Sequence, residues 1–260
     1  MQEPLMLERV IREAKFIFLC VPSKAVRSAA ISILPYLLSK AIVIVLAKGI
    51  EVESELFMDE VLIKTLPSGQ PFALLGGPML AAELATDMST TGVVGSRDEH
   101  CLRALRELFL ETTLHLETNL DLRGVALAGT LKNIYAMVLG IAHALAWGEN
   151  QKGWLVAQSI FEMAFITKQM GGLPQTVYGV AGLGDLVATG FSPYSRNRKV
   201  GISHVEDQTP LRGESTNALP IIISKIGLSI DSLPLLRALR DVVMEKSSPR
   251  AVFESAIKMI

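Results

Sequence analysis

Residues 16–47 read FIFLCVPSKAVRSAAISILPYLLSKAIVIVLA, and the order of elements within them decides the fold class. Two short apolar runs, Phe16–Val21 (FIFLCV) and Ile42–Ala47 (IVIVLA), flank a helical segment, Lys24–Leu38, introduced by Pro22-Ser23. The runs are rich in β-branched or aromatic residues and lack clean polar alternation, the pattern of strands buried on both faces of a parallel sheet. Phe72–Leu75 (FALL) and Thr91–Val94 (TGVV) repeat the pattern, with a second helical segment at Ser54–Thr65. Alternation of strand and helix predicts βαβ units. Pro78–Thr86 is a candidate short helix, and Asp98–Leu110 is amphipathic, with Leu102, Leu105 and Phe109 on one face.

The texture changes near Asp121. Helical segments follow at Val125–Trp147, Gly153–Gly171, Pro174–Val180, Asn217–Ile226, Ser232–Glu245 and Pro249–Ile257, many bounded by proline or glycine. Strand-like runs nearly vanish. The chain therefore divides into an α/β part, 1–118, and an all-α part, 119–260. An apolar first strand at an open sheet edge is an aggregation hazard, so the sheet is expected to continue beyond Phe16–Val21, in sequence upstream of it.

Composition removes several function classes. The 260 residues are 50% hydrophobic and 20% charged, with a net charge of −1, and no clustered basic face points to nucleic acid. The two cysteines, Cys20 and Cys101, lie far apart in apolar or helical runs. They read as buried small hydrophobes of a reduced, cytoplasmic protein. A membrane span needs about 18 consecutive apolar residues. The longest candidate, Ile134–Trp147, lies in a region interrupted by Lys132 and His143, so no span is expected. The four histidines have no metal-ligand spacing, so no metal is expected.

Four constellations can carry chemistry. Gly179–Lys199 (GVAGLGDLVATGFSPYSRNRK) joins a glycine-rich turn, Asp185, and the cations Arg196, Arg198 and Lys199. Arg196-Asn197 can present several donors to a phosphate, and the alternative is a solvated surface loop. Lys132, in Gly129-Thr130-Leu131-Lys132-Asn133, has mostly apolar neighbours. It either reaches back to water or is held in a pocket that suits a general acid–base. Lys48-Gly49 and Gly76-Gly77-Pro78 follow the strand-like runs ending at Ala47 and Leu75, where open α/β sheets place ligands. Each is also readable as the ordinary turn after a buried strand. Gly182-Leu183-Gly184 has no third glycine in place and follows a helix, so it is not a dinucleotide fingerprint.

Together and in this order, these stretches resemble the bacterial-type NAD(P)-dependent glycerol-3-phosphate dehydrogenases. The matching segments are CVPS (Cys20–Ser23), AKGIE (Ala47–Glu51), GGP (Gly76–Pro78), LKNIYAMVLGIAHAL (Leu131–Leu145), GLGDLVAT (Gly182–Thr189) and SRNRKVG (Ser195–Gly201). The resemblance implies an incomplete Rossmann-like parallel sheet over 1–118, carrying part of a dinucleotide-binding domain. Over 119–260 it implies an all-α substrate-binding and catalytic domain of the 6-phosphogluconate-dehydrogenase-like type. It implies hydride transfer between NAD or NADP and the sn-glycerol 3-phosphate/dihydroxyacetone phosphate pair, supplying glycerol 3-phosphate for phospholipid synthesis. It assigns Lys132 as the lysine exchanging a proton with the substrate C2 oxygen and Asp185 as the acid that contacts the substrate and orients that lysine. Lys48 is assigned beside both substrate and nicotinamide, Gly77 as a backbone substrate contact, and Ser195, Arg196 and Asn197 as the substrate-binding triplet. Ala81, Arg196 and Glu214 are assigned to the cofactor.

Two departures accompany the match. Met79 stands where the family carries Ser or Thr, which removes a hydroxyl donor. The family pattern also begins with a strand, a Gly-rich phosphate loop, a helix and two further strands, roughly sixty to seventy residues that precede the matching part. The competing expectation is a truncated, catalytically inactive paralogue acting as a phosphate-ligand-binding or oligomerisation module. The apolar helical half is compatible with a homodimer.

Overall fold

In a computed structural model, which describes residues 3–258, the chain forms two compact units, Met1–Ala126 and Leu127–Ile260. The first unit opens with helix α1 (Glu3–Glu13) and strand β1 (Phe16–Leu19). A 3-10 turn (Ser23–Ala25), helix α2 (Val26–Ile33) and a second 3-10 turn (Leu34–Tyr36) lead to β2 (Ile42–Val45). A two-stranded hairpin, β3 (Ile50–Glu51) and β4 (Leu56–Phe57), precedes α3 (Met58–Thr65). Then come β5 (Phe72–Gly76), the short α4 (Ala81–Leu84), β6 (Thr90–Gly95), α5 (Glu99–Leu108) and β7 (Leu114–Asn119).

The main sheet has the order β1-β2-β5-β6-β7. β1, β2 and β5 are parallel, with Phe16 opposite Ile42 and Val43 opposite Phe72. β6 is antiparallel to β5 and parallel to β7, so the expected Rossmann-like parallel sheet is present with one antiparallel pairing. All four β2 residues are buried, because strands flank β2 on both sides and both its faces are covered; that is why it reads as an unbroken apolar run. Ile42, Ile44, Ala73, Leu75 and Val94 pack on Cys101, Leu102 and Leu105 of α5. Asp98 starts α5 by accepting the His100 N–H at 2.8 Å. Burial pushes the Cys101 thiol up to about 11. Cys20 is exposed, contrary to the buried reading, because β1 ends at Leu19 and Cys20 falls in the turn beyond it.

β7 is the strand that the sequence reading omits. It is the last strand of the sheet, with one side largely open, so its residues (LHLETN) alternate weakly and carry polar side chains. The hairpin is also missed: the helix expected from Ser54 begins at Met58, because Ser54–Phe57 completes a turn in which Glu55 adopts φ 55°.

The second unit is helical. The division falls inside α6 (Leu122–Ala144). Next are α7 (Glu149–Gln169), α8 (Pro174–Tyr178), a π-helical turn (Val180–Gly184), α9 (Asp185–Phe191) and α10 (Arg196–Glu206). α11 (Glu214–Ile226), a 3-10 segment (Gly227–Ser232), α12 (Pro234–Val243) and α13 (Pro249–Lys258) complete it. Helix α6 is long and apolar enough to cross a membrane, yet its whole apolar window is buried inside the fold, as in a core helix. Two glycines set its approach to α10. A Cβ at Gly140 would run into the Arg198 carbonyl, and one at Gly201 into the Met137 carbonyl. The two backbones therefore touch, with no room for a side chain at either crossing.

Candidate functional site

Lys132 lies on α6 and is only 6% exposed. It does not reach back to water. Its Nζ sits 2.9 Å from Asp185 Oδ1 and donates to Thr189 Oγ1 at 2.8 Å. Thr189 in turn donates to Asp185 Oδ1 at 3.1 Å, which closes a triangle of amine, hydroxyl and carboxylate. Asp185 is 2% exposed and begins α9; Thr189 follows one turn later, so both side chains share a face. The glycine-rich segment read as a turn or loop is thus a π-helical turn running straight into α9. Buried charges need partners, and here the ammonium and the carboxylate satisfy each other while the hydroxyl bridges them.

A second network braces the helix that carries the lysine. Tyr135, one turn beyond Lys132, donates its hydroxyl to Glu162 Oε2 of α7 at 2.8 Å. Glu162 also accepts the backbone N–H groups of Leu235 and Leu236, at 2.8 and 2.9 Å, at the start of α12. Burial raises the Glu162 carboxyl above the usual carboxylate range against these stabilising hydrogen bonds. Burial, with Glu162 beside it, raises the Tyr135 phenol. One acid thereby ties α6, α7 and α12 together.

Ser195 is buried and caps α10, accepting the Arg198 N–H at 3.1 Å. Arg196 and Asn197 follow as the first residues of that helix, Arg196 exposed and Asn197 half-buried. A helix N-terminus with an arginine and an amide side chain suits an anion such as a phosphoester. The contact of α10 with α6 at Gly140 and Gly201 fixes where that N-terminus starts. Glu214 is exposed at the start of α11.

In the first unit, Lys48 lies beyond the carboxyl end of β2 and Gly77 beyond that of the neighbouring β5. Lys48 Nζ donates to the Gly77 carbonyl at 2.7 Å. Gly77 has φ 92°, a conformation that keeps side chains out of this turn. Ala81 is exposed at the first position of α4. Met79 packs its side chain against the sheet core, with its sulfur over Gly92, where an added Cβ would lie 2.9 Å away. Among the described residues no group of three or more His, Cys, Asp or Glu side chains could hold a metal ion.

Sequence reasoning named Lys132 and Asp185, and the structure brings them into one ion pair. It missed Thr189. The signal was present: a hydroxyl four residues after an aspartate, in GLGDLVAT, shares its face once the segment is helical.

Comparison with known proteins identifies the family. The family of the NAD-dependent glycerol-3-phosphate dehydrogenase C-terminus matches residues 121–254, and that of the N-terminus matches residues 3–102. A glycerol-3-phosphate dehydrogenase [NAD(P)+] of Desulfitobacterium hafniense is 32% identical over 251 residues, covering 96% of this chain and 68% of the relative. One from Clostridium acetobutylicum is 37% identical over 196 residues, covering 75% of this chain. The match spans 59% of that relative's length. The crystal structure of a glycerol-3-phosphate dehydrogenase from Coxiella burnetii superposes with a TM-score of 0.84 at 26% identity, covering 96% of this chain and 79% of that one. With both family segments matched in order along its length, the chain belongs to the NAD-dependent glycerol-3-phosphate dehydrogenase family.

Proposed function

We propose that this protein interconverts sn-glycerol 3-phosphate and dihydroxyacetone phosphate by hydride transfer with NAD or NADP. The observation that carries the reading is the buried Lys132–Asp185 pair bridged by Thr189. Reducing a ketone builds negative charge on its oxygen. The Lys132 ammonium offsets that charge and donates a proton to the C2 oxygen, and in the reverse direction the amine accepts the hydroxyl proton. Asp185 holds the amine in place, and Thr189 fixes the angle between them. Arg196 and Asn197, with the α10 N-terminus, hold the phosphate.

The donor set of the first unit fits the nicotinamide end of such a cofactor. A lysine is held at the Gly77 carbonyl beyond the carboxyl ends of two parallel strands, where open α/β sheets take nucleotides. Lys48 and Ala81 would hold the cofactor, which supplies the hydride when bound. The reading includes a cytoplasmic homodimer that supplies glycerol 3-phosphate for phospholipid synthesis.

The test is dihydroxyacetone-phosphate-dependent oxidation of NADH and NADPH, with Lys132→Ala as control. Turnover that Lys132→Ala abolishes supports the assignment; equal activity in both proteins overturns it. The packing of Met79 into the sheet core favours a second reading, a phosphate-ligand-binding or oligomerisation module without turnover. Phosphate-ester binding with no oxidation of either nucleotide would select that reading.

A further inference from the structure

We propose that Glu162 is a positioning residue for Lys132: through the Tyr135 hydroxyl it fixes the rotation of α6 about its own axis, and with it the place of the reacting amine. The proposal rests on the reading of Lys132 as the group that exchanges a proton with the substrate. It adds a role in the reaction for two side chains outside the triangle of amine, hydroxyl and carboxylate.

A carboxylate is an unusual occupant of this core. Glu162 is 2% exposed on α7, in a run where Ile160, Met163, Ala164 and Ile166 are buried with it. Buried charges add little stability over apolar side chains of the same volume, so packing alone gives no reason for an acid here. What the acid adds is direction. Four donors, from α6, α7 and α12, converge on its two oxygens. Oε1 accepts the Leu235 N–H at 2.8 Å and the Gln158 amide at 3.2 Å. Oε2 accepts the Leu236 N–H at 2.9 Å and the Tyr135 hydroxyl at 2.8 Å.

The two backbone donors make the acid a fixed point. The first N–H groups of a helix have no partner within it, so Glu162 cannot turn away without stranding those of α12. Tyr135 is fully buried and its phenol is set against that fixed point. Lys132 stands three positions earlier on α6, hence on the same side of the helix. Its amine can extend roughly 8 Å from the helix axis, so a turn of α6 by about 10° would swing it by more than 1 Å. The partners it must meet are held separately. Asp185 and Thr189 lie on α9, and a Cβ at Gly190 of that helix would run into the Leu139 side chain of α6. A misplacement of about 1 Å can cost on the order of a hundredfold in rate, even when its cause lies away from the chemistry.

Steady-state reduction of dihydroxyacetone phosphate, corrected for the folded fraction, tests this. Tyr135→Phe removes one hydroxyl and leaves Glu162 with its other three donors. It is expected to lower kcat on the order of tenfold while KM for the substrate stays within about twofold. Glu162→Gln should do the same, and the double variant should lose no more than the worse single, because both act through one hydrogen bond. A Tyr135→Phe protein that unfolds at lower urea yet keeps its kcat has lost only stability, and overturns the proposal. So does a double variant whose loss is the product of the two single losses. A wild type without turnover overturns the dehydrogenase reading instead, and the positioning claim is then judged without substrate, by acetic anhydride labelling mapped with mass spectrometry. Lys132 should acetylate severalfold faster in native Tyr135→Phe than in the wild type, with the exposed Lys168 and Lys225 as internal standards. An unchanged rate at Lys132 overturns it.

Discussion

Replacing Asp185 by leucine removes one half of a buried ion pair and leaves the other in place. Lys132 would keep an ammonium in a pocket where the residue is 6% exposed, with only the Thr189 hydroxyl as a partner from the triangle. Stranding a buried charge in this way costs about 3–5 kcal/mol, far more than the pair adds over an apolar replacement. Lys132→Met strands Asp185, 2% exposed, and should cost a similar amount. The double variant Lys132→Met/Asp185→Leu removes both charges. It is expected within about 1 kcal/mol of the wild type, so the coupling between the two sites exceeds ~3 kcal/mol. For a unit of this size 1 kcal/mol moves the Tm by about 3–4 °C, so each single variant should lose roughly 10–20 °C and the double variant regain most of it. Urea and thermal unfolding followed by tryptophan fluorescence isolate the relevant unit, since both tryptophans, Trp147 and Trp154, lie in Leu127–Ile260. A cost below about 1 kcal/mol for Asp185→Leu alone, or a double variant as unstable as the sum of the singles, would refute the claim that the lysine is held in the fold by its carboxylate.

Other expectations follow from the same geometry. Thr189→Val keeps the shape but removes the bridge between Lys132 and Asp185, so kcat should fall on the order of tenfold to a hundredfold with KM nearly unchanged; steady-state kinetics at saturating substrate would show it. Gly201→Ala drives a methyl group into the Met137 carbonyl and should destabilise the second unit by ~3 kcal/mol, read from the urea midpoint at constant m-value. His204 has its pKa lowered by burial from the ordinary 6.5. The unfolded chain then takes up a proton that the folded one resists, so this residue's contribution is present above pH 6.5 and is lost as pH falls towards its folded value. His204→Phe should flatten the decline in Tm below pH 6.5, measured by calorimetry across an acidic series.

Much of the architecture was legible from local pattern. β2 announced itself because burial on both faces demands an unbroken apolar run, and α5 because Asp98 caps it and its leucines recur at helical spacing. β7 was hidden because an edge strand with an open side need not be apolar, and the antiparallel entry of β6 because direction leaves no mark on so short a run. Cys20 was misread because the apolar run containing it outlasts the strand by two residues.

By itself the sequence determined the two-part organisation, the elements with strong periodicity, and the residue types able to handle a proton and a phosphoester. Each of those depends on neighbours along the chain, within one strand or one helical turn. Whether Lys132 reaches water or a carboxylate was decided only in three dimensions. Its partners stand 53 and 57 positions away, on a helix whose place depends on helix packing against α6. A buried charge is tolerable only where folding delivers its counter-charge, and that delivery is a property of packing, not of any stretch of residues read alone.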